Sequence, residues 1–268
     1  MKRGDMEDFK RHTDALASLE TFAPDVFVGD EEVSQEICNF VLSLALIWND
    51  CKDVAYAQTL LRRCEPSDEP GPTREWGAYG GIDLHIFRYQ VSLMHELLAL
   101  VCRNQSVARD YYIDGLANQL SPKARDAWFS LVRVALGSVP TDPFGRCLLA
   151  VRNKLASRYD PRAMQQGYRN HFLGEGAEDD CAFISHGSGA DATRFYFADA
   201  AALGYLREVP GGEDWEQLRD DMRGVLDGLT DALMGMVTGF VKRRTGGDSV
   251  LEGVMNTVRE VLGQGEKT

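Results

Sequence analysis

Apolar residues recur at intervals of three and four through most of the 268-residue chain, the signature of helices that bury one face. A first amphipathic segment, about residues 6–20, carries Phe9, Leu16 and Leu19. After the Pro24 loop, Glu31 and Glu32 are expected to open a long helix ending at Arg62-Arg63. Its acidic start and basic end match the helix dipole. A polar, Pro-rich loop from Glu65-Pro66 to Pro72 follows, and Trp76 to Gly81 read as a packed loop. The spacing then predicts a second long helix over 82–103, with Leu84, Phe87, Val91, Met94, Leu97, Leu98 and Val101 on one face. Ser121-Pro122 places an N-cap before a proline at the first helical position, which starts a helix running to about Leu136. Asp142-Pro143 and Asp160-Pro161 repeat the device and start two more.

Residues 174–197 break the helical pattern. Gly174, Gly176, Gly187 and Gly189 surround the run Cys181-Ala182-Phe183-Ile184, and Arg194-Phe195-Tyr196-Phe197 follows. This composition predicts a small inserted β-hairpin at about 180–197. The helix after it ends over Leu203 to Glu208. The C-terminal helices are expected over 213–264. One runs from Glu213-Asp214 to Lys242-Arg243-Arg244, with apolar positions Trp215, Leu218, Met222, Val225, Leu229, Met236 and Phe240. The last opens on the capping box Ser249 to Glu252 and carries Leu251, Val254, Val258 and Leu262. Gly224/Gly228 and Gly235/Gly239 put small residues on a stripe, which suits tight internal packing or, alternatively, a protein partner on these helices. No internal repeat or low-complexity linker divides the chain. The expected fold is all-α, a multi-helix bundle forming a single domain over 1–268.

Composition narrows the function classes. With 44% hydrophobic and 26% charged residues the chain is a folded protein, not a disordered one. Its net charge of −12 argues against a surface that grips nucleic acid or an anionic membrane as a whole. The opening Met1-Lys2-Arg3-Gly4-Asp5-Met6-Glu7-Asp8 does not read as a signal peptide. Ile37 to Trp48, the most apolar run, is about half a bilayer span and reads as a buried helix, so no membrane association is expected. The expected location is cytoplasmic. Cys38, Cys51, Cys64, Cys102, Cys147 and Cys181 are scattered, which predicts reduced, mostly buried thiols. None shows metal-ligand spacing, and no metal or cofactor is expected. His85 and His95 read as core or boundary histidines. Ser185-His186-Gly187-Ser188-Gly189 reads as a loop tip, because no nucleophile elbow follows a strand there.

Chemistry concentrates in the helix from Pro143: Leu148-Leu149-Ala150-Val151-Arg152-Asn153-Lys154-Leu155-Ala156-Ser157-Arg158-Tyr159-Asp160-Pro161. Four apolar residues deliver an Arg-Asn pair just before the helix stops. The stretch resembles the signature of HEPN-like proteins, which are all-α bundles, often dimeric and often metal-independent ribonucleases of toxin and defence systems. Their motif is an arginine, usually a polar residue next, a few variable positions and then a histidine, in a helix near a dimer cleft. The resemblance is specific over about ten residues and suggestive in the preceding long-helix layout and in Phe195-Tyr196-Phe197-Ala198-Asp199. It implies a homodimer that binds RNA or another phosphate-bearing ligand, in a bacterial toxin or defence setting. Arg152, Asn153 and Arg158 would occupy the catalytic positions.

Cleaving RNA through its own 2′-hydroxyl needs a base for that proton and a cation for the charge growing on the phosphate. Arg152 would supply a bidentate, permanently charged donor, and Asn153 would orient it or hold the scissile group. The histidine position is held by Arg158, which stays protonated and accepts no proton at neutral pH. The resemblance therefore implies phosphate binding with little or no cleavage. Tyr159 lies about 20° from the face of Arg152 on an ideal helix, but its ordinary pKa of about 10 makes a poor base. His171 is an alternative acid-base group if the helices fold back. Between Lys123 and Phe172 nine basic residues face three acidic ones, a local excess that includes Lys154, Arg162 and Arg169 and suits an anion site on an acidic body. Two uses remain for these arginines, phosphate binding or pairing with acidic helices such as the one carrying Asp214, Asp220 and Asp221. The function from another class is a structural interaction module with no nucleic-acid role.

Overall fold

Most of the apolar surface is buried by four long helices that close on one another in a ring. The computed structural model describes residues 22–67, 73–138, 161–174, 182–184, 193–208 and 215–246. A 3-10 turn at Pro24–Phe27 precedes α1 (Gln35–Arg62), α2 (Arg74–Arg103) and the short α3 (Gln105–Ala108) and α4 (Tyr111–Ala117). Then come α5 (Pro122–Ala135), α6 (Pro161–Phe172), α7 (Tyr196–Glu208) and α8 (Trp215–Thr245). Helix α1 packs on α2 and α8, and α5 packs on the same two, which completes the ring. Trp128 of α5 sits at its centre, fully buried, with the edge of Phe40 at a ring distance of 6.4 Å. Leu44, Met94, Leu97, Leu131, Met222 and Leu229 fill the space around them. The fold is all-α, as the periodicity predicts. The first segment, the helix from Pro143 and the last helix lie outside the described residues.

Local signals set the helix ends. Ser121 accepts a hydrogen bond from the Ala124 N–H and Pro122 takes the first position, so α5 starts where the sequence predicts. Helix α1 begins later than Glu31. The Asp30 carboxylate accepts from the Glu32 and Val33 N–H groups and holds them in a turn, and Ser34 becomes the cap. Helix α2 begins earlier than 82, because Thr73 accepts from the Trp76 N–H and caps a helix through the segment expected as a loop.

The glycines that suggest a break in that segment serve close approach instead. A Cβ on Gly77 would collide with the Tyr196 ring, and one on Gly81 with the Arg194 guanidinium. Those two partners belong to the region expected to form a hairpin, which the structure does not support. Among the described residues 182–184 and 193–195 form no strand, and α7 already starts at Tyr196. The alanines at 198 and 200–202 outweigh the β-preference of Phe195, Tyr196 and Phe197. The Tyr196 hydroxyl donates to the Arg74 carbonyl at 3.3 Å, and the Phe183 ring lies 4.7 Å from the Tyr196 ring. Arg194 pairs with Asp199 at 2.9 Å. Together these fasten α7 to the first turns of α2.

Two further expectations change. Among the described cysteines all four are free, but only Cys38 and Cys51 are buried; Cys64 and Cys102 are exposed. Cys147 and Cys181 lie outside the described residues. Among the described residues one helix segment is long and apolar enough to cross a membrane, and it is Met222–Thr245 of α8, with a mean hydropathy of 1.2, rather than Ile37 to Trp48. Its Met222, Val225, Leu229, Met236 and Phe240 are spent on the bundle core. Gly235 and Gly239 on the same helix receive Leu120 and Leu116 from the α4 end of the fold. That part of the small-residue stripe is filled by the chain itself.

The C-terminal end of α8 is clamped to the segment before α1. Phe240 stacks on Phe27 at 5.2 Å and meets the Tyr112 ring edge at 5.9 Å, with Arg243 over Tyr112 at 4.4 Å. Arg244 donates to the Val26 carbonyl at 3.2 Å, to the Val28 carbonyl at 2.9 Å and to the Asp30 carboxylate. The Arg244 guanidinium, helped by the Val33 and Glu32 N–H groups, holds the Asp30 carboxyl below its ordinary value. A depressed carboxylate stabilises the native state above the unfolded pKa of about 3.9 and loses that contribution as the pH falls through its native value. The native chain should therefore melt higher than Asp30→Asn at pH 7. The gap should narrow progressively below about pH 4. Parallel thermal melts of the two proteins across pH 2–7 check this; a gap that stays constant contradicts it.

Candidate functional site

Arg152, Asn153, Lys154, Arg158 and Tyr159 lie outside the described residues. Arg162, Arg169 and His171 do not, and all three are on α6. Pro161 opens this helix with its fixed φ, and no acidic residue occurs among its 12 positions. The helix is sharply two-sided. Ala163 and Gly167 are buried and Asn170 is half-buried, on a stripe spaced four and three. Arg162, Gln165, Gln166 and Arg169 form the opposite stripe and are all exposed. Seven residues apart, the two arginines lie within about 20° of each other and roughly 10 Å apart along the axis. Arg169 makes no ion pair among the described residues.

Glycine contacts hold α6 in place. A Cβ on Gly167 would strike the Ala201 carbonyl oxygen, and one on Gly204 would strike the Gly167 carbonyl oxygen. Two backbones thus touch directly where α6 crosses α7, an approach that only paired glycines allow. Since α7 is fastened to α2 through Tyr196 and Arg194, the exposed arginine stripe is carried on a two-helix layer docked against the bundle. The sequence pattern missed this crossing. Its signal, Gly167 in a buried stripe and Gly204 among alanines, acquires meaning only once the two helices are paired.

The structure does not bring His171 together with the arginine stripe. Nine residues after Arg162, it lies about 180° around the helix. Its Cβ stands 3.1 Å from where a Cβ would sit on Gly204, so it belongs to the α6–α7 crossing. Its ring meets the Phe172 ring edge-on at 4.5 Å, and Tyr168 lies 4.8 Å from Phe172. It therefore faces away from Arg162 and Arg169; its placement relative to Arg152 and Asn153, beside which the acid-base role is expected, lies outside the described residues. Of the acidic residues expected to compete for the arginines, Asp220 is already paired with Arg223 at 3.0 Å on its own helix. No group of three or more His, Cys, Asp or Glu side chains among the described residues could hold a metal ion.

No family model, no curated protein and no solved structure matches the chain. The class that the geometry defines is an all-α bundle bearing a docked helical pair, one helix of which, α6, turns a basic, acid-free face outward.

If the glycine crossing positions that face, Gly167→Val should displace α6 without dissolving the four-helix ring. The expected cost is about 1–3 kcal/mol, the usual range for forcing extra atoms into a filled contact. Hydrogen exchange should speed up in 161–174 and 196–208 and stay slow in the buried turns of α1, α2, α5 and α8. Unchanged exchange in α6 would show that the crossing is not what holds it.

Proposed function

We propose that this protein is HEPN-like, a cytoplasmic homodimer of a toxin or defence system that binds RNA or another phosphate-bearing partner at its dimer cleft. Arg152 and Asn153 form the phosphate grip. Arg158, at the position of the family's histidine, leaves the site without a titrating base, so the protein binds and cleaves weakly or not at all. The observation that supports this reading most is the exposed pair Arg162 and Arg169 on an acid-free helix directly after the motif. Exposed guanidiniums on one face, with Gln165 and Gln166 between them, are suited to backbone phosphates. For the reading as a protein-docking module through the C-terminal helices, Leu116 and Leu120 already occupy Gly239 and Gly235, which leaves only the exposed Gly224 end of the stripe open.

Binding of a fluorescent single-stranded RNA, followed by anisotropy from low to high salt, tests the phosphate role. Affinity should fall linearly with salt on a log-log scale, since phosphate contacts release counterions. Arg162→Ala and Arg169→Ala should each reduce the slope by roughly 0.7. Salt-independent binding, or no binding, would contradict the proposal.

Catalysis gives a second, independent outcome. Arg158→His restores a base and should raise RNA cleavage in the presence of EDTA by roughly 10²-fold, the low end for general acid-base catalysis. Adding Arg152→Ala should abolish the gain, because the developing phosphate charge loses its guanidinium. A folded, dimeric Arg158→His protein that leaves RNA intact would refute the assignment of this segment as the reaction site.

A further inference from the structure

The outer side of the α1–α2 pairing carries a groove that the RNA reading does not use. Its volume is about 380 Å³, and it is lined by Asp50, Asp53, Val54 and Ala57 of α1 and by His85, Ile86 and Tyr89 of α2. The floor is apolar and firm. Val54 and Ile86 are buried in a small cluster with Cys51 and Leu93. Gln90 donates an amide hydrogen bond to Gln58 at 3.0 Å and fixes how the two helices lie against each other. The walls are polar and differ. Asp50 and Asp53, three apart, rise from one helix; His85 and Tyr89, four apart, rise from the other. Tyr89 is 43% exposed, which leaves part of its ring open to solvent.

The charges on the two carboxylates are not equally available. Lys52 lies 3.5 Å from Asp53 and shares its field, while leaning over the Trp48 ring at 5.9 Å. Asp50 has no ion-pair partner among the described residues. Its charge reaches into the floor: the Cys51 thiol is pushed up to about 12, first by burial and then by Asp50. The groove is therefore a negative, partly aromatic slot over an apolar base, on the opposite footing from the arginine-bearing α6.

We propose that this groove is a binding site for a small organic cation with an apolar body, an aryl- or alkylammonium. The ammonium would be held by Asp50, with Asp53 secondary. The hydrocarbon portion would lie on Val54 and Ile86, and the Tyr89 ring would offer its negative face to the cation. The volume is at the small end of ligand pockets, which suits a free amine rather than an extended peptide. Anions are repelled by both carboxylates.

Titration of the uniformly ¹⁵N-labelled full chain with 2-phenylethylamine, read by amide chemical shifts, tests the site. Saturable shifts should appear across 50–57 and 82–89, and 3-phenylpropanoate, of similar shape and opposite charge, should produce none. Asp50→Asn should weaken binding about fivefold or more, the scale of one close charge at a wet site. Asp53→Asn should weaken it less, and Tyr89→Leu by about two- to fivefold. Asp53 and Tyr89 are exposed and Asp50 is half-buried, none of them in the core, so the helical circular dichroism of each variant should match the native protein and separate lost binding from lost fold. Equal binding of the carboxylate, or undiminished binding by Asp50→Asn, would overturn the proposal. Tighter binding of Nα-acetyl-lysine methylamide than of phenylethylamine would overturn the small-amine assignment in favour of a protein lysine.

Discussion

The burial of one face of α8 is the constraint on which the rest of the fold depends. Met222, Val225, Leu229, Met236 and Phe240 recur along it at three- to seven-residue steps, and each is nearly inaccessible to water. Against this stripe lie α1 on one side and α5 on the other, with α4 near its C-terminal end. Burying a single leucine or phenylalanine is worth about 1.5–3 kcal/mol, so a stripe of this length exceeds any local capping or ion-pair contribution in the molecule. Helix α2 closes the ring opposite and never needs to touch α8 extensively. Capping at Ser34, Thr73 and Ser121 decides where helices begin; α8 decides that they form a bundle.

The second organising device is steric. Gly77 and Gly81 admit Tyr196 and Arg194 onto the surface of α2, and Gly167 and Gly204 let α6 and α7 meet backbone to backbone. Four absent side chains thus build an outer layer on the ring. Small residues supply most of the fully buried positions in that layer, Ala163, Ala201 and Ala202 beside the Tyr196 ring. Close contact substitutes for hydrophobic volume, since atoms in direct contact gain dispersion that a gap would forfeit. The result leaves the opposite face of α6 free to be wholly polar.

Much of this was legible in the chain, and the parts that were not have physical reasons. The all-α class, the start of α5 at Ser121-Pro122 and the span of α8 follow from apolar spacing and from residues whose backbone effect is local. The start of α2 was hidden because glycine weakens an isolated helix, and the compensation at Gly77 and Gly81 comes from residues more than a hundred positions away. The aromatic run Phe195-Tyr196-Phe197 suggested a strand, because β-preference reports a half-buried surface rather than a backbone state. At the site, the solvent-facing Arg162 and Arg169 follow from helical geometry alone. The sequence could not decide which way His171 turned, since that depends on where α7 lies. The groove between α1 and α2 escaped notice for the same reason. Asp50 and Asp53 belong to one helix and His85 and Tyr89 to another, and neither pair has a chemical signature by itself.

Arg244 reaches back to Val26, Val28 and Asp30, across more than 210 residues of chain. During synthesis, the apolar faces of α1 and α2 therefore leave the ribosome long before their partner on α8 exists. At roughly 5–20 residues per second that interval is on the order of ten seconds or more. Pairing between α1 and α2 is local and fast, but the ring and its end clamp can close only when α8 emerges. The nascent chain must hold a half-finished core in the meantime, which makes the early helices the part of this protein most in need of chaperone protection.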